Sequence, residues 1–246
     1  SIDLINDVRH GWEVGNALGT FHTLLSDLPP ERLADTLPGF HITPGYLEHY
    51  DRVLQDHPKA GTDREEWCFR FVERGRSWAW VLEKALSEGR LCLRPIHGDP
   101  KVNNILMDDV TGRALGMIDL DTVKPGLIQY DIGDCLRSSC NRLGEETDDW
   151  EQVKFDTDLG KVVLEGYCAI ARQFLTPADF ELLPDACRLI AFELGLRFFT
   201  DHLEGNVYFK ASHPGHNLSR ALVQFKLAAS LDEQMGELRS VIEAIR

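Results

Sequence analysis

The residues that could do chemistry are concentrated in two short segments, residues 97–104 (HGDPKVNN) and residues 118–121 (IDLD). In the first segment, Asp99 and Asn104 are five residues apart, the spacing of a carboxylate and an amide in loops that transfer a phosphoryl group. The carboxylate can accept the proton of an attacking hydroxyl, and an amide oxygen can bind magnesium without adding negative charge. The spacing therefore predicts phosphoryl transfer from ATP.

Two further residues complete this pattern. An apolar run over residues 114–118 predicts a short strand that ends in Asp119, where a second carboxylate could hold the metal against the phosphates. Lys101 could lie beside the transferring group and neutralise developing charge. Asp99 and Lys101 are thus the candidate catalytic residues, and Asn104 and Asp119 are the candidate metal ligands.

Each of these features also has a purely structural interpretation. His-Gly-Asp is a common turn, paired asparagines are common in loops, and an aspartate after an apolar run often caps a helix. The combination of strand, loop, apolar segment and second strand favours the catalytic interpretation. His97 is interpreted as a buried loop residue, because Asp99 already supplies a base. Asp121 could be a further ligand, and its role stays open.

Through these residues the chain resembles the aminoglycoside phosphotransferase and choline kinase family of small-molecule kinases. That family shares the catalytic lobe of protein kinases but carries glycine, here Gly98, where protein kinases usually carry arginine. Within the family, the chain is similar to the N-acetylhexosamine 1-kinases. The similarity lies in residues 99–104, 118–123, 125–126, 130–134, 193–201 and 203–209, and it covers most of the chain from about Leu91 onward.

The resemblance implies an α+β fold, mainly helical, in which a protein-kinase-like carboxy-terminal lobe carries short β-hairpins around the catalytic loop. It also implies ATP and Mg²⁺ as cofactors. We find neither the glycine-rich loop nor the strand lysine that an amino-terminal lobe carries. We therefore expect residues 1–246 to form a single carboxy-terminal lobe with the amino-terminal lobe absent. Such a chain should bind ATP weakly and be inactive alone.

The resemblance further implies a sugar substrate, phosphorylated at its anomeric hydroxyl. Arg197 and Tyr208 match positions that family members use to bind the sugar, and Thr122 lies where another contact is expected. The planar guanidinium of arginine suits adjacent hydroxyls or an N-acetyl oxygen. The spacing of Glu193, Arg197 and Asp201 is equally compatible with a surface ladder of ion pairs along one helix.

Two alternatives remain open from the sequence. The acceptor could be an aminoglycoside, choline, homoserine or another sugar, since an acidic pocket would also suit a cation. The chain could instead be a non-catalytic module that binds a sugar or a nucleotide. The nucleophile motifs of sulfatases and of serine hydrolases do not occur.

Composition restricts the kinds of molecule that the protein is expected to bind. Forty acidic residues against twenty-six basic ones give a net charge of −14, which opposes binding to nucleic acid and to anionic membranes. No apolar run approaches membrane-spanning length, and the six cysteines lack metal-ligand spacing. These features predict a cytoplasmic protein with reduced thiols and a small-molecule partner; the oligomeric state stays open.

The elements that must position the site are mostly helical. Leu4, Val8, Trp12, Leu18, Phe21 and Leu25 recur at helical spacing and predict an amphipathic first helix. Helices are also predicted from Thr43 toward His57, from Thr62 to near Gly89, after Asp131, after Thr176, and twice within residues 218–246. Strands are predicted over residues 91–93, 104–107 and 115–119. The Trp67, Phe71 and Trp78 stripe is interpreted as core packing.

Overall fold

The computed structural model of the chain describes residue 5, residues 7–56 and residues 61–246. The α-helices are α1 Val8–Leu24, α2 Thr43–Asp56, α3 Asp63–Gly75, α4 Val81–Ser87, α5 Ile128–Ser139, α6 Thr157–Ala171, α7 Pro177–Leu203, α8 His216–Glu233 and α9 Met235–Ile245. The strands are β1 Arg94–Ile96, β2 Ile105–Met107, β3 Ala114–Met117 and β4 Lys124–Gly126. The prediction of a mainly helical fold with short strands is confirmed.

The four strands form two antiparallel pairs around the chemically interesting segments. In one pair, Ile96 of β1 lies opposite Lys124 of β4; in the other, Ile105 of β2 lies opposite Met117 of β3. Residues 97–104 connect β1 to β2, and residues 118–123 connect β3 to β4. The pairing therefore brings the two connections side by side.

The first pair differs from the prediction for a physical reason. The strand predicted over residues 91–93 begins at Arg94 instead, and β4 was not predicted. Pro95 and Pro125 lie directly opposite each other in the register. Proline cannot donate a ladder hydrogen bond and is depleted in strands, so its presence conceals a strand in the sequence.

The first helix buries only part of the face expected. Leu18 is buried as predicted, but Val8 is 66% exposed and Trp12 is 37% exposed, whereas the glycines of α1 are buried. Leu4 lies outside the described residues. A Cβ atom added at Gly15 would lie 1.8 Å from the backbone oxygen of Val163, and one at Gly166 would lie 2.0 Å from that of Trp12. The backbones of α1 and α6 are thus in direct contact, and a search for large apolar residues could not find this face.

Helix α7 forms the centre of the larger helical part. It packs against α5 and α8, and it is buried on nearly all sides. Phe71 stacks on Trp67 and meets Trp78 edge to face, which confirms the core interpretation of that stripe. Glu193 and Asp201 are buried within α7, so neither belongs to a solvent-exposed ladder.

Several predicted helix boundaries are observed. Capping boxes begin α3 at Thr62 and α7 at Thr176, and α8 and α9 occupy the predicted carboxy-terminal stretch. The helix predicted to run to Gly89 is instead divided into α3 and α4 by a 3₁₀ turn at Arg76–Trp80. Helix α2 is described to Asp56; the predicted end at His57 lies outside the described residues.

The described helices include none that is both long and apolar enough to cross a membrane. All six cysteines are free thiols, and five of them are buried.

Candidate active site

The connection between β1 and β2 is held by a buried carboxylate from α5. Asp131 accepts hydrogen bonds from the backbone nitrogens of His97 (2.6 Å) and Gly98 (2.9 Å), and it lies 2.9 Å from His22 Nε2. Burial opposes ionisation of Asp131, but the hydrogen bonds from His22 and the two amides outweigh it, so the pKa is lowered. Asp131 therefore holds the backbone of residues 97 and 98 in place from the side of α5.

Asp99 lies at the surface of the loop with two donors on one oxygen. Its Oδ2 accepts from Lys101 Nζ (2.6 Å) and from Asn104 Nδ2 (3.1 Å), and Asn104 Nδ2 also donates to the Asp99 backbone oxygen (2.8 Å). Burial opposes the charge of Lys101, but the bond and the charge of Asp99, with weaker contributions from Asp134 and Asp119, raise its pKa. The structure thus brings together Asp99, Lys101 and Asn104.

Asp119 follows the end of β3 at the same edge of the site. The predicted strand ends at Met117, and the Ile118 nitrogen donates to the Asn104 backbone oxygen (2.9 Å). Asp119 has a left-handed φ of 64°, and within the described part of the chain its carboxylate has no hydrogen bond or ion pair. Asp121 lies in the following 3₁₀ turn, where its backbone oxygen accepts from Thr36 Oγ1 (3.3 Å).

These residues fit a metal held jointly with a nucleotide. The side-chain oxygens of Asn104 and Asp119 are hard ligands of the kind that magnesium prefers, and magnesium is usually held by one or two protein oxygens plus substrate phosphates. Across residues 7–56 and 61–246, no group of three or more His, Cys, Asp or Glu side chains could hold a metal unaided. Leu106 and Ile118 on the adjoining hairpin are exposed and could contact a planar base.

The loop of residues 97–104, the predicted catalytic loop, lines one side of a cavity of about 660 Å³. It is lined by five of the seven predicted site residues, Asp99, Lys101, Thr122, Arg197 and Tyr208. Thr122 Oγ1 donates to the His97 backbone oxygen (2.7 Å), so this hydroxyl also supports the loop. Residues 36–41 form another wall that sequence analysis did not associate with the site.

Arg197 projects from α7 into a group of aromatic rings. Its guanidinium carbon lies 4.9 Å from the ring centroid of Tyr46, 5.1 Å from that of Phe40 and 5.4 Å from that of Phe209. Neither Glu193 nor Asp201 lies within ion-pair distance of it, and it pairs with no described carboxylate. Burial raises the pKa of Tyr46 to about 12, although the charge of Arg197 opposes this.

The segment that carries Tyr208 is held by Asp201. The Asp201 carboxylate accepts from the backbone nitrogens of Tyr208 (2.7 Å) and Phe209 (3.0 Å) and from Asn217 Nδ2 (2.9 Å). Tyr208 itself is 74% exposed at the cavity rim. Asp201 was considered only as a ladder residue; the Gly205-Asn206 turn between it and Tyr208 was the available signal for a fixed loop.

The family profile described as "Phosphotransferase enzyme family" matches residues 7–160, and the chain belongs to that family. Its fold is similar to that of a choline kinase from Cryptosporidium parvum Iowa II, with 15% identity, a TM-score of 0.59 and coverage of 97% of this chain and 67% of the other. It is also similar to an ethanolamine kinase from Plasmodium vivax, with 12% identity, a TM-score of 0.56 and coverage of 91% and 62%. The chain thus spans about two thirds of the length of these kinases and shares their fold.

Proposed function

We propose that this protein transfers the γ-phosphoryl group of ATP, with magnesium, to the anomeric hydroxyl of an N-acetylhexosamine. The observation that carries the proposal is that one cavity holds both Asp99, the candidate base, and Arg197, a guanidinium with no described carboxylate partner. Phosphoryl transfer is the chemistry of the family, and the sugar acceptor rests on the resemblance of residues 193–209.

Each site residue has a distinct role in this proposal. Asp99 orients the acceptor hydroxyl and accepts its proton, while Lys101 balances negative charge at the same position. Asn104 and Asp119 would hold Mg²⁺, which neutralises charge on the phosphates when MgATP is bound.

The acceptor is held by residues on three different elements. Thr122 lies after β3, Arg197 on α7 and Tyr208 in the loop after α7. Groups on separate elements can fix both the position and the orientation of a sugar for in-line attack.

The environment of Arg197 argues against a cationic acceptor such as choline or an aminoglycoside. Recognition of a quaternary ammonium group uses the open faces of aromatic rings. Here Phe40, Tyr46 and Phe209 already surround the guanidinium of Arg197. A second cation at this position would meet a like charge, whereas hydroxyl or acyl oxygens could accept hydrogen bonds from Arg197.

The test is ADP release by the full-length protein with ATP and Mg²⁺, comparing N-acetylglucosamine and N-acetylgalactosamine with choline and an aminoglycoside. We expect turnover confined to the N-acetyl sugars. Turnover only with a cationic acceptor would overturn the sugar assignment but retain the catalytic loop. No turnover with any of the four would favour a binding module.

The 246-residue chain itself should bind ATP weakly and turn over no substrate, because its sequence contains neither a glycine-rich phosphate loop nor a strand lysine. Calorimetric titration with MgATP and the same ADP assay would test this, and detectable turnover would contradict it. We also propose a cytoplasmic location, where ATP is available and the six free thiols would stay reduced.

A further inference from the structure

A buried histidine with an uncommon backbone conformation contacts the catalytic loop from the side of α7. His41 has a φ of 66°, in the left-handed region, and is 4% exposed. Its Nδ1 lies 2.9 Å from Glu193 Oε1, and its Nε2 lies 2.9 Å from the backbone oxygen of Gly98. The ring thus connects a buried carboxylate to the residue that precedes Asp99.

These two contacts favour a doubly protonated ring. A carbonyl oxygen and an ionised carboxylate only accept hydrogen bonds, whereas a neutral imidazole has a single N–H. Glu193 Oε2 also accepts from Thr43 Oγ1 (2.7 Å). When Glu193 is ionised, His41 satisfies both contacts with N–H donors only as an imidazolium.

The surrounding groups support the charged form. Burial lowers the pKa of His41, but the charge of Glu193 and its hydrogen bond, together with the charge of Asp134 and the bond to Gly98, raise it overall. The ring of Tyr130 stacks on that of His41, with centroids 5.3 Å apart. Further titratable groups on the elements around this pair include Tyr46 of α2, Glu83 of α4, which accepts from the Tyr130 hydroxyl, and Arg197 of α7. Asp99, Lys101 and Arg137 line the same cavity.

The peptide unit between Gly98 and Asp99 is held at both edges. On one edge, His41 Nε2 contacts the Gly98 oxygen. On the other edge, the Asp99 nitrogen donates to His97 Nδ1 (3.3 Å). Because a peptide unit is planar, fixing both edges sets the direction in which the chain enters Asp99. A misplacement of the base by about 1 Å can cost about 100-fold in rate.

We propose that His41, held as an imidazolium by Glu193, is a positioning residue that orients Asp99 for phosphoryl transfer. This inference rests on the proposed role of Asp99 as the base. A left-handed φ and a buried ion pair are both energetically costly, and such features persist where the surrounding structure imposes them, often at active sites.

The first test needs no substrate. Long-range ¹H–¹⁵N spectra of the 246-residue chain, labelled at its histidine rings, distinguish an imidazolium from a neutral imidazole, and His41→Gln identifies the signal. We expect both ring nitrogens of His41 to carry protons at pH values above 6.5, the ordinary pKa of histidine. A neutral ring at pH 6.5 would overturn the proposal.

The second test is kinetic and uses the full-length protein with any acceptor that it phosphorylates. We expect His41→Gln to lower kcat by about 10- to 100-fold with little change in acceptor KM, because the base is misplaced and the substrate contacts remain. The wild-type kcat should fall as pH rises through the raised pKa of His41, and the variant should lack this dependence.

His202→Gln is the matched control, since His202 Nε2 on α7 forms a histidine–carboxylate pair with Glu65 Oε1 on α3 (3.0 Å), and neither residue lines the cavity. The control should retain wild-type kcat and its pH profile. A raised KM with unchanged kcat in His41→Gln, or an unchanged pH profile, would overturn the positioning role. If the wild type phosphorylates no acceptor, the proposed function fails, and the spectra still decide the charge of His41.

Discussion

At the scale of single residues, the site depends on which atoms of Asp99 remain available. Lys101 and Asn104 both donate to Asp99 Oδ2, so Oδ1 is the oxygen that the proposed acceptor hydroxyl would meet. The same contacts restrict the rotamer of Asp99, so the proposed base is oriented before substrate arrives.

Replacement of Asp99 by Asn should therefore remove catalysis and leave the fold intact. An amide cannot accept the proton, and general-base catalysis contributes about 10²–10⁴-fold, so we expect kcat to fall by at least about 100-fold. Circular dichroism and the ADP assay measure the two outcomes. Asp109→Asn, an exposed position in the β2–β3 turn, is the control; an active Asp99→Asn enzyme would refute the assignment.

Removal of the Arg197 side chain should change acceptor choice rather than the chemical step. In Arg197→Ala the acceptor KM should rise by about 10-fold or more, since a hydrogen bond to a charged group contributes about 1.5–3 kcal/mol. The vacated rings of Phe40, Tyr46 and Phe209 should then bind tetramethylammonium, which the wild type should not.

Calorimetric titration with tetramethylammonium measures that second effect directly. Arg188→Ala is the control, because Arg188 lies 4.3 Å from the ring centroid of Trp78 and outside the cavity. Equal tetramethylammonium affinity in the wild type and Arg197→Ala would show that the guanidinium does not occupy the space between these three rings.

At the scale of elements, the two strand pairs and α5 determine the path of the catalytic loop. Gly98 has a φ of 87°, and an added Cβ atom would lie 2.6 Å from the backbone oxygen of Thr122. Its nitrogen donates to Asp131 and its oxygen contacts His41. The loop cannot move away from Thr122 without losing one of these contacts.

Gly98→Ala should consequently impair both stability and turnover, whereas Gly89→Ala should affect stability alone. Gly89 also has a positive φ, of 70°, but an added Cβ atom there would meet nothing within 4 Å. We expect about 1–2 kcal/mol of destabilisation for Gly89→Ala from the backbone conformation, and a larger loss, with reduced kcat, for Gly98→Ala. Urea unfolding measures the loss of stability in each variant, and the ADP assay measures kcat. Equal effects of the two substitutions would contradict the close contact between Gly98 and Thr122.

At the scale of the whole molecule, stability should depend on a set of carboxylates spread through the fold. Burial alone would raise the pKa of Asp131, Asp156, Asp179 and Asp232, but hydrogen bonds and neighbouring cations outweigh it and lower each pKa. A group with a lowered folded-state pKa stabilises the protein above its unfolded pKa, and this contribution is lost as pH falls through the folded value.

Thermal stability should therefore be maintained at neutral pH and decrease steeply below about pH 4, the ordinary range of an aspartate pKa. The pKa of His41 shifts in the opposite direction, because folding raises it. Its contribution to stability is therefore complete below pH 6.5 and is lost as the pH rises through the folded-state pKa. Calorimetry from pH 3 to pH 9 measures the change in Tm on both the acidic and the alkaline side. Asp131→Asn should make the fall in Tm at acidic pH smaller. An unchanged wild-type Tm down to pH 3 would contradict the expected role of these carboxylates.

The sequence by itself determined the features that depend on local spacing. Asp99, Lys101 and Asn104 lie within one six-residue segment, and their proximity follows from the chain itself. The capping boxes at Thr62 and Thr176 could be predicted for the same reason, since each joins residues three positions apart.

Only the tertiary structure decided the features that join distant segments. His41 contacts Glu193 across 152 positions, and Arg197 lies among rings from three segments. The glycine-lined contact of α1 with α6 was also hidden, because glycine contributes no side chain to a hydrophobic pattern. Local spacing thus predicted that Asp99, Lys101 and Asn104 lie together. The cavity wall opposite them and the charge beside the loop arise from the packing of α2 and the segment before it against α7, which no short pattern encodes.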